Sequence, residues 1–377
     1  MNEAKAARYH RLKRRTRLLT AAGSVAVLVS LLASGASAGI RDLIFQLVAV
    51  LGLPPAWRHA GVAAGYTVCV WTLLEGVLLP LRFFQGFVLE RRYALSRVGA
   101  VRWVSTYLKT VALSGGVVVG AAVVVYQSLA VWPAWWWVVS GAVFVVATLI
   151  LTNLAPVWVI PRLYPVRPLV RGRLAERLGA LAQRVGVSAL RVDECVVGGM
   201  TRLAHATLVG LGSTRRILLS DTLLADYSDD EIEVVLAHEL GHHVNRDVWQ
   251  LIGYELLVTL AALLVGGWTV ARLGGLFGLA SAGDVAGLPL MALGAGGMAA
   301  AAAPLGYALS RRHERRADLF AIRLTRNPAA LISSLRRWGA QNLVEERPSR
   351  AVELLCHTHP PLYRRLAVAR LAVARRT

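Results

Sequence analysis

The chain has 377 residues, of which 56 % are hydrophobic and only 17 % charged, against about 25 % charged in an ordinary soluble domain. With a mean hydropathy of +0.52, that excludes a disordered chain and a water-soluble globule. The charge is lopsided, 42 Lys and Arg against 22 Asp and Glu, but long uncharged runs separate the basic clusters, the pattern of a polytopic membrane protein and not of a nucleic-acid binder.

A membrane span needs about 20 mostly apolar residues, and six stretches qualify, at 18–38, 60–81, 110–131, 135–160, 249–271 and 286–309. Between the first two, residues 43–57 are apolar but interrupted by Gly52, Pro54 and Pro55. They read as a surface or re-entrant segment, a seventh crossing being the alternative. Lys and Arg crowd into residues 5–17, 82–102, 162–248 and 310–377, whereas the opposite loops hold little beyond Arg41, Arg58 and Asp284. Six crossings put every basic segment on one side, so both termini and the polar blocks are expected in the cytoplasm, beneath the plasma membrane. The first span, followed by Ala36-Ser37-Ala38, also has the form of a signal peptide with its cleavage site. Retention is expected, and the downstream topology is the same either way.

The first polar block opens with an amphipathic helix over 173–184, apolar at Leu174, Leu178 and Leu181, followed by strand-like runs at 190–192, 206–211 and 217–219. Ser228-Asp229-Asp230-Glu231 then forms a capping box, with Ser at the N-cap and Glu at N3. The helix it opens carries His238-Glu239-Leu240-Gly241-His242. Four residues is about one helical turn, so His238 and His242 share a face at the spacing a zinc ion takes, with Glu239 beside them to accept a proton from activated water. Gly241 costs a helix interior about 1 kcal/mol relative to Ala, so packing or function must require it. The three cysteines, Cys69, Cys195 and Cys356, supply no C-x-x-C metal pair.

A catalytic zinc needs a third protein ligand. Beyond the next two apolar stretches, Glu314 and Asp318 lie one turn apart, so one carboxylate can meet a metal while the other orients a ligand histidine. His313 is a rival ligand, and pairing of Glu314 with the surrounding arginines on a solvated face is the plainer alternative. A last polar cluster, His357-Thr358-His359-Pro360-Pro361-Leu362, reads as a helix start whose histidines are structural or donate to an oxyanion.

Together these pieces resemble the integral-membrane zinc metallopeptidases of the type I CAAX prenyl endopeptidase family, in which H-E-x-x-H precedes two spans, then E-x-x-x-D, then a His-Pro pair. Phe87-Val88-Leu89-Glu90 is similar to the family's F-V-I-E segment, and residues 155–164 and 210–224 resemble its junction and strand-turn segments. The resemblance covers about 82–366 and implies that His238, His242 and Glu314 bind one Zn²⁺ per chain. It further implies that Glu239 is the general base, that Asp318 braces the site, and that His359 assists at the scissile carbonyl. His205-Ala206 stands where the family usually has Asn-Ala, which makes both candidate substrate contacts and implies altered specificity. Arg365 matches a family arginine to which no role is assigned.

The expected fold is mainly α and polytopic, with about six membrane helices and a cytoplasmic zincin-like metallopeptidase domain carrying a small β-sheet. Residues 1–161 would form the membrane region and 162–377 the metallopeptidase domain, including the last two spans. The expected partners are a peptide or protein substrate and the bilayer, with no nucleic acid. A quality-control protease of the HtpX type is the second reading. A channel or transporter using Glu75 and Glu255 is the third, and it leaves the histidine pair unexplained.

Overall fold

In a computed structural model, which describes residues 3–154, 165–187, 191–197, 206–209 and 216–374, the basic segment and the first apolar stretch form one helix, α1 (Glu3–Ala33). Its 31 residues extend roughly 46 Å, longer than the ~30 Å hydrocarbon layer, so its basic first half projects beyond the bilayer. A 15-residue helix, α2 (Ala36–Val50), follows, and then α3 (Pro55–Phe83), opened by proline and extended through a π-helical turn into Leu89–Arg92. Helices α1 and α3 run antiparallel: Tyr9 Oη donates to Glu90 Oε1 at 2.7 Å and Lys13 pairs with the same oxygen at 3.0 Å. The Glu3 end of α1 and the Arg92 end of α3 therefore share one side. At the opposite end Ile44 and Val48 of α2 lie against Gly65 and Gly61, and Ser37 Oγ lies 2.5 Å from Tyr66 Oη.

Two more apolar helices follow, α4 (Ala100–Val131) and α5 (Trp136–Leu154). Among the described residues, five helical segments are long and apolar enough to cross a membrane: Glu3–Ala33, Pro55–Arg92, Ala100–Val131, Asp247–Phe277 and Val285–Thr325. The apolar part of α5, Trp136–Thr152, is shorter, and the stretch expected to continue it to residue 160 lies outside the described residues.

Strands β1 (Val166–Pro168), β2 (Arg191–Cys195), β3 (Ala206–Val209) and β4 (Arg216–Ser220) form one sheet in the order β1-β2-β4-β3. The β2–β4 pair is parallel and the other two are antiparallel, so among the described residues β3 is paired on one side only. Helix α6 (Gly172–Gln183) lies between β1 and β2 in sequence and buries Leu174, Leu178 and Leu181, the face its spacing predicts. A short helix, α7 (Asp221–Asp226), leads from β4 to α8 (Asp229–Val244). Leu174, Leu178, Ile217, Leu219, Leu236 and Leu240 close into one core under the sheet, each at most 1 % exposed. Removal of any one of them to alanine costs about 2–5 kcal/mol.

Helices α9 (Asp247–Leu273) and α10 (Leu288–Thr325) form an antiparallel pair. They approach so closely that a Cβ on Gly266 would lie 2.9 Å from the Met291 carbonyl oxygen, the small-residue contact that brings membrane helices together. Helix α10 has 38 residues, roughly 57 Å. One continuous helix thus contains an apolar span and then the polar run from Ser310 to Asp318. Helices α11 (Pro328–Gln341), α12 (Arg350–Cys356) and α13 (Leu362–Ala374) complete the described chain.

Candidate active site

The capping box forms as the sequence indicates. Ser228 Oγ accepts from the Glu231 amide and Glu231 Oε2 accepts from the Ser228 amide, so α8 begins at a fixed point and its register places the histidines. Helix α8 crosses α10 at Gly241, where a Cβ would lie 3.1 Å from the Ala317 Cα and 3.2 Å from the Phe320 ring. The requirement for glycine is this close approach, and it brings the histidine face of α8 onto the Glu314 face of α10.

His238 Nε2 lies 3.2 Å from His242 Nε2. Each faces a different oxygen of Glu314: His238 is 3.4 Å from Oε2 and His242 is 3.5 Å from Oε1. Glu314 is 7 % exposed, and its Oε2 is buried with no hydrogen bond. The outer ring nitrogens are both held by carboxylates: His238 Nδ1 is 3.0 Å from Asp318 Oδ1, and His242 Nδ1 is 2.9 Å from Asp247 Oδ2. With Nδ1 of His242 bonded outward to Asp247 and Nδ1 of His238 facing Asp318, the two Nε2 atoms and a carboxylate converge on one point. Three Lewis bases at that separation repel unless a cation lies among them. Burial disfavours a charged His238, but the Asp318 and Glu314 carboxylates outweigh it and hold the pKa up at about 10, so without a metal the pocket takes up a proton instead.

Arg365 completes the surround. Its Nε donates to Asp318 Oδ2 at 2.8 Å and its Nη2 to Asp318 Oδ1 at 2.7 Å, a bidentate pair, while Nη1 lies 3.4 Å from Glu314 Oε2. Burial works against that guanidinium, but Asp318 overcomes it and raises its pKa above the usual value. The arrangement explains why Asp318 remains ionised although 1 % exposed.

Of the residues singled out in the sequence, His238, His242, Glu314 and Asp318 meet here. Glu239 lines the two cavities that open from the trio. His359 Nε2 lies 3.2 Å from Glu314 Oε1, on a loop whose side chain is about half exposed. Ala206 opens β3 opposite Leu219 and lines the second cavity; His205 lies outside the described residues. His313, the rival ligand, points elsewhere, with Nε2 3.1 Å from Gln250 Oε1. Asp247 escaped the sequence reading because it sits five residues beyond His242, past a helix end. The turn that delivers it depends on Arg246, whose φ of 55° is left-handed and strained for a side chain of that size. Arg311 was also missed: 5 % exposed, it donates to the Glu353 and His357 carbonyls at 2.9 and 2.7 Å and so fixes the loop of His359.

One cavity, of about 600 Å³, runs from Glu239, His242 and Glu314 toward Trp249 and Ser310 at the ends of the spans. The other, of about 320 Å³, is walled by Ala206, Tyr227, Val235, Leu331 and Leu335.

Residues 168–372 match the sequence model of peptidase family M48. The chain belongs to this family. Residues 2–164 match a second model, the CAAX prenyl protease N-terminal region, described as five membrane helices. The Bacillus subtilis protein named uncharacterized metalloprotease YhfN is 28 % identical over 320 residues, 82 % of this chain and 75 % of that one. CAAX prenyl protease 1 of Saccharomyces cerevisiae is 28 % identical over 215 residues, which is 54 % of this chain and just under half, 46 %, of the yeast enzyme. A Protease HtpX homolog of Desulfatibacillum aliphaticivorans is 30 % identical over 185 residues, 42 % of this chain and 56 % of that one. In fold, the chain is similar to the crystal structure of S. mikatae Ste24p, with a TM-score of 0.82 over 97 % of this chain and 88 % of that one at 20 % identity. The protein is a multi-pass membrane metalloendopeptidase of family M48, with a His238–His242–Glu314 cluster able to hold a metal.

Proposed function

We propose that this protein is a zinc endopeptidase that cuts peptide segments at the cytoplasmic face of the plasma membrane. The observation that carries the reading is the convergence of His238, His242 and Glu314 at separations of 3.2, 3.4 and 3.5 Å. Ligands held about 2.0–2.1 Å from a tetrahedral zinc stand roughly 3.3 Å apart. Two imidazoles and a carboxylate are also the donor set that suits zinc, with the fourth position left for chemistry. When bound, the ion supplies a Lewis acid that polarises the scissile carbonyl and lowers the pKa of a water.

The remaining steps belong to this chain's side chains. Glu239 accepts the proton of the attacking water and passes it to the leaving amine. His359 donates to the oxyanion as it forms, where a hydrogen bond counts most. Asp318 and Asp247 hold the imidazoles with Nε2 turned inward, and Arg365 keeps Asp318 ionised. The substrate backbone extends the sheet at β3, beginning at Ala206, by edge-strand addition.

Six spans, with α2 at the outer surface, put the basic half of α1 and the polar parts of the metallopeptidase block at residues 162–377 in the cytoplasm. Membrane-anchored proteins are the fitting substrates, since the larger cavity opens toward the spans. The name of the yeast relative supports a CAAX prenyl protease-like activity, and the HtpX relative supports an HtpX-like protease as the second reading.

The test is metal analysis and peptide cleavage with purified protein. One zinc per chain is expected, falling sharply in His238→Ala, with Glu239→Gln keeping the metal but losing cleavage by a factor of about 10² or more. Full activity in Glu239→Gln would end the proposal.

A further inference from the structure

Helix α12 (Arg350–Cys356) is turned the wrong way for a helix in water. Its acidic residue, Glu353, is 5 % exposed and pairs with Arg364 at 2.7 Å, whereas Leu354 and Leu355 face outward, 46 % and 58 % exposed. A buried charge beside exposed leucines is the informative exception to ordinary burial. Ala351, three residues before Leu354 and four before Leu355, is exposed on the same face. Two neighbours fix the level of this helix along the bilayer normal. Arg311 Nη1 donates to the Glu353 and His357 carbonyls at 2.9 and 2.7 Å, and Arg311 lies two residues beyond the apolar stretch at 286–309 of α10. On the other side, a cavity of about 250 Å³ has Cys356 and Arg17 on its walls, and Arg17 is the last charged residue before the apolar part of α1. Both markers put α12 where the spans leave the hydrocarbon. Arg347 and Arg350, exposed at its entry, suit the anionic headgroups found at that depth.

We propose that the Ala351, Leu354 and Leu355 face of α12 lies in the bilayer surface on the catalytic side, and that this lipid contact holds the loop of His359 in place. The helix runs directly into that loop. The His357 carbonyl accepts from the same guanidinium that holds Glu353, and His359 stands two residues further, 3.2 Å from Glu314 Oε1. Seven residues are too few for a helix to hold itself. Arg311 and Arg364 fix its inner side, and lipid fixes the outer one. A second copy of this chain is the other apolar surface that could cover the two leucines, but the level of α12 favours lipid, which is already present at that depth. The lipid contact stands apart from the endopeptidase reading above; the coupling to His359 rests on it.

The experiment uses the full-length protein in phosphatidylcholine nanodiscs containing a lipid with a nitroxide near its headgroup. A fluorophore is attached at Leu355→Cys in a chain that also has Cys356→Ser, the remaining thiols, Cys69 and Cys195, being partly or wholly buried. An interfacial helix sits about 5–10 Å into the boundary of headgroups and acyl chains, so the nitroxide should remove about half of the emission or more. The same label at Arg323→Cys, on an exposed residue roughly 18 Å further out along α10 than Arg311, should keep nearly all of it. Leu354→Ser with Leu355→Ser should lower kcat for a short soluble peptide by about tenfold at unchanged zinc content, short of the roughly 10²-fold or more that loss of an oxyanion donor costs. Leu354→Met with Leu355→Met should restore it. Emission unquenched by the nitroxide overturns the lipid contact. Emission shielded from both the nitroxide and aqueous iodide, in discs holding two chains, gives the face to a second copy and overturns it as well. A kcat unmoved in the double serine variant overturns the coupling to His359. No cleavage by the unaltered protein overturns the endopeptidase reading and the coupling with it, while the quenching still decides the lipid contact.

Discussion

Glu314 and His313 are adjacent in sequence, yet on a helix they point about 100° apart, and only Glu314 faces the histidine pair. Glu314→Ala should abolish cleavage and weaken zinc binding, while His313→Ala should keep both; metal content and peptide turnover decide, and the opposite pattern removes Glu314 from the metal set. Asp247 acts through His242, so Asp247→Ala should lower metal affinity by about 10–100-fold without eliminating it, read by competition with a chelator. The same carboxylates set a pH dependence. His238 is held up at about 10 in the metal-free pocket, and a zinc ligand must be deprotonated. Below pH 10 a proton therefore competes for Nε2, and zinc affinity should rise by up to about tenfold per pH unit between pH 7 and 9. Affinity falling with pH over that range would show that the proton does not sit on the ligand. In the metal-free protein the sign for stability is the reverse. A raised folded pKa contributes stability that is whole below about 6.5 and lost as pH climbs through 10.

Helix α8 was legible from its residues because each signal in it is local: a four-residue capping box and a histidine pair one turn apart. Three of the four strands lie on apolar runs legible in the sequence; β1 was not legible, nor was the strand order, since the parallel β2–β4 pairing joins segments that have β3 between them in the chain. Gly241 lies between these cases. Its cost to the helix was visible in the sequence, and the cause, the Cα of Ala317 on a helix some seventy residues away, was not. Gly241→Ala should push α8 off α10, destabilising the protein by about 1–3 kcal/mol. Because the same crossing brings His238 onto Glu314, zinc affinity should fall with stability. A variant with lowered melting temperature and unchanged zinc affinity would show that the crossing carries structure alone. The residues that brace the site, Asp247, Arg311 and Arg365, escaped assignment for a related reason: each acts across a turn or between elements, at no fixed spacing from its partner.

On the scale of the molecule, α10 joins the two halves of the protein, because one helix contributes both a span and the Glu314–Asp318 face. The metal-site face is therefore rigidly continuous with a span, and the orientation of the spans fixes the compartment in which cleavage occurs. Contacts place the ends of the helices without reference to composition. Arg14 of α1 reaches Glu345 beside α11, so the basic half of α1 and the catalytic block share a side. Arg41 of α2 reaches Asp284 in the loop between α9 and α10 at 2.5 Å, at the other end. The excess of Lys and Arg on the first side supports the proposal that it is the cytoplasmic one. Two thiols can test this in intact cells. Cys356 is exposed on the catalytic side, whereas Cys195 is buried and Cys69 partly so, and Ser281, exposed in the α9–α10 loop, supplies the opposite face as Ser281→Cys. A membrane-impermeant maleimide should label Ser281→Cys in intact cells and reach Cys356 only after the membrane is opened. Labelling of Cys356 first would invert the topology and put the metal site outside the cell.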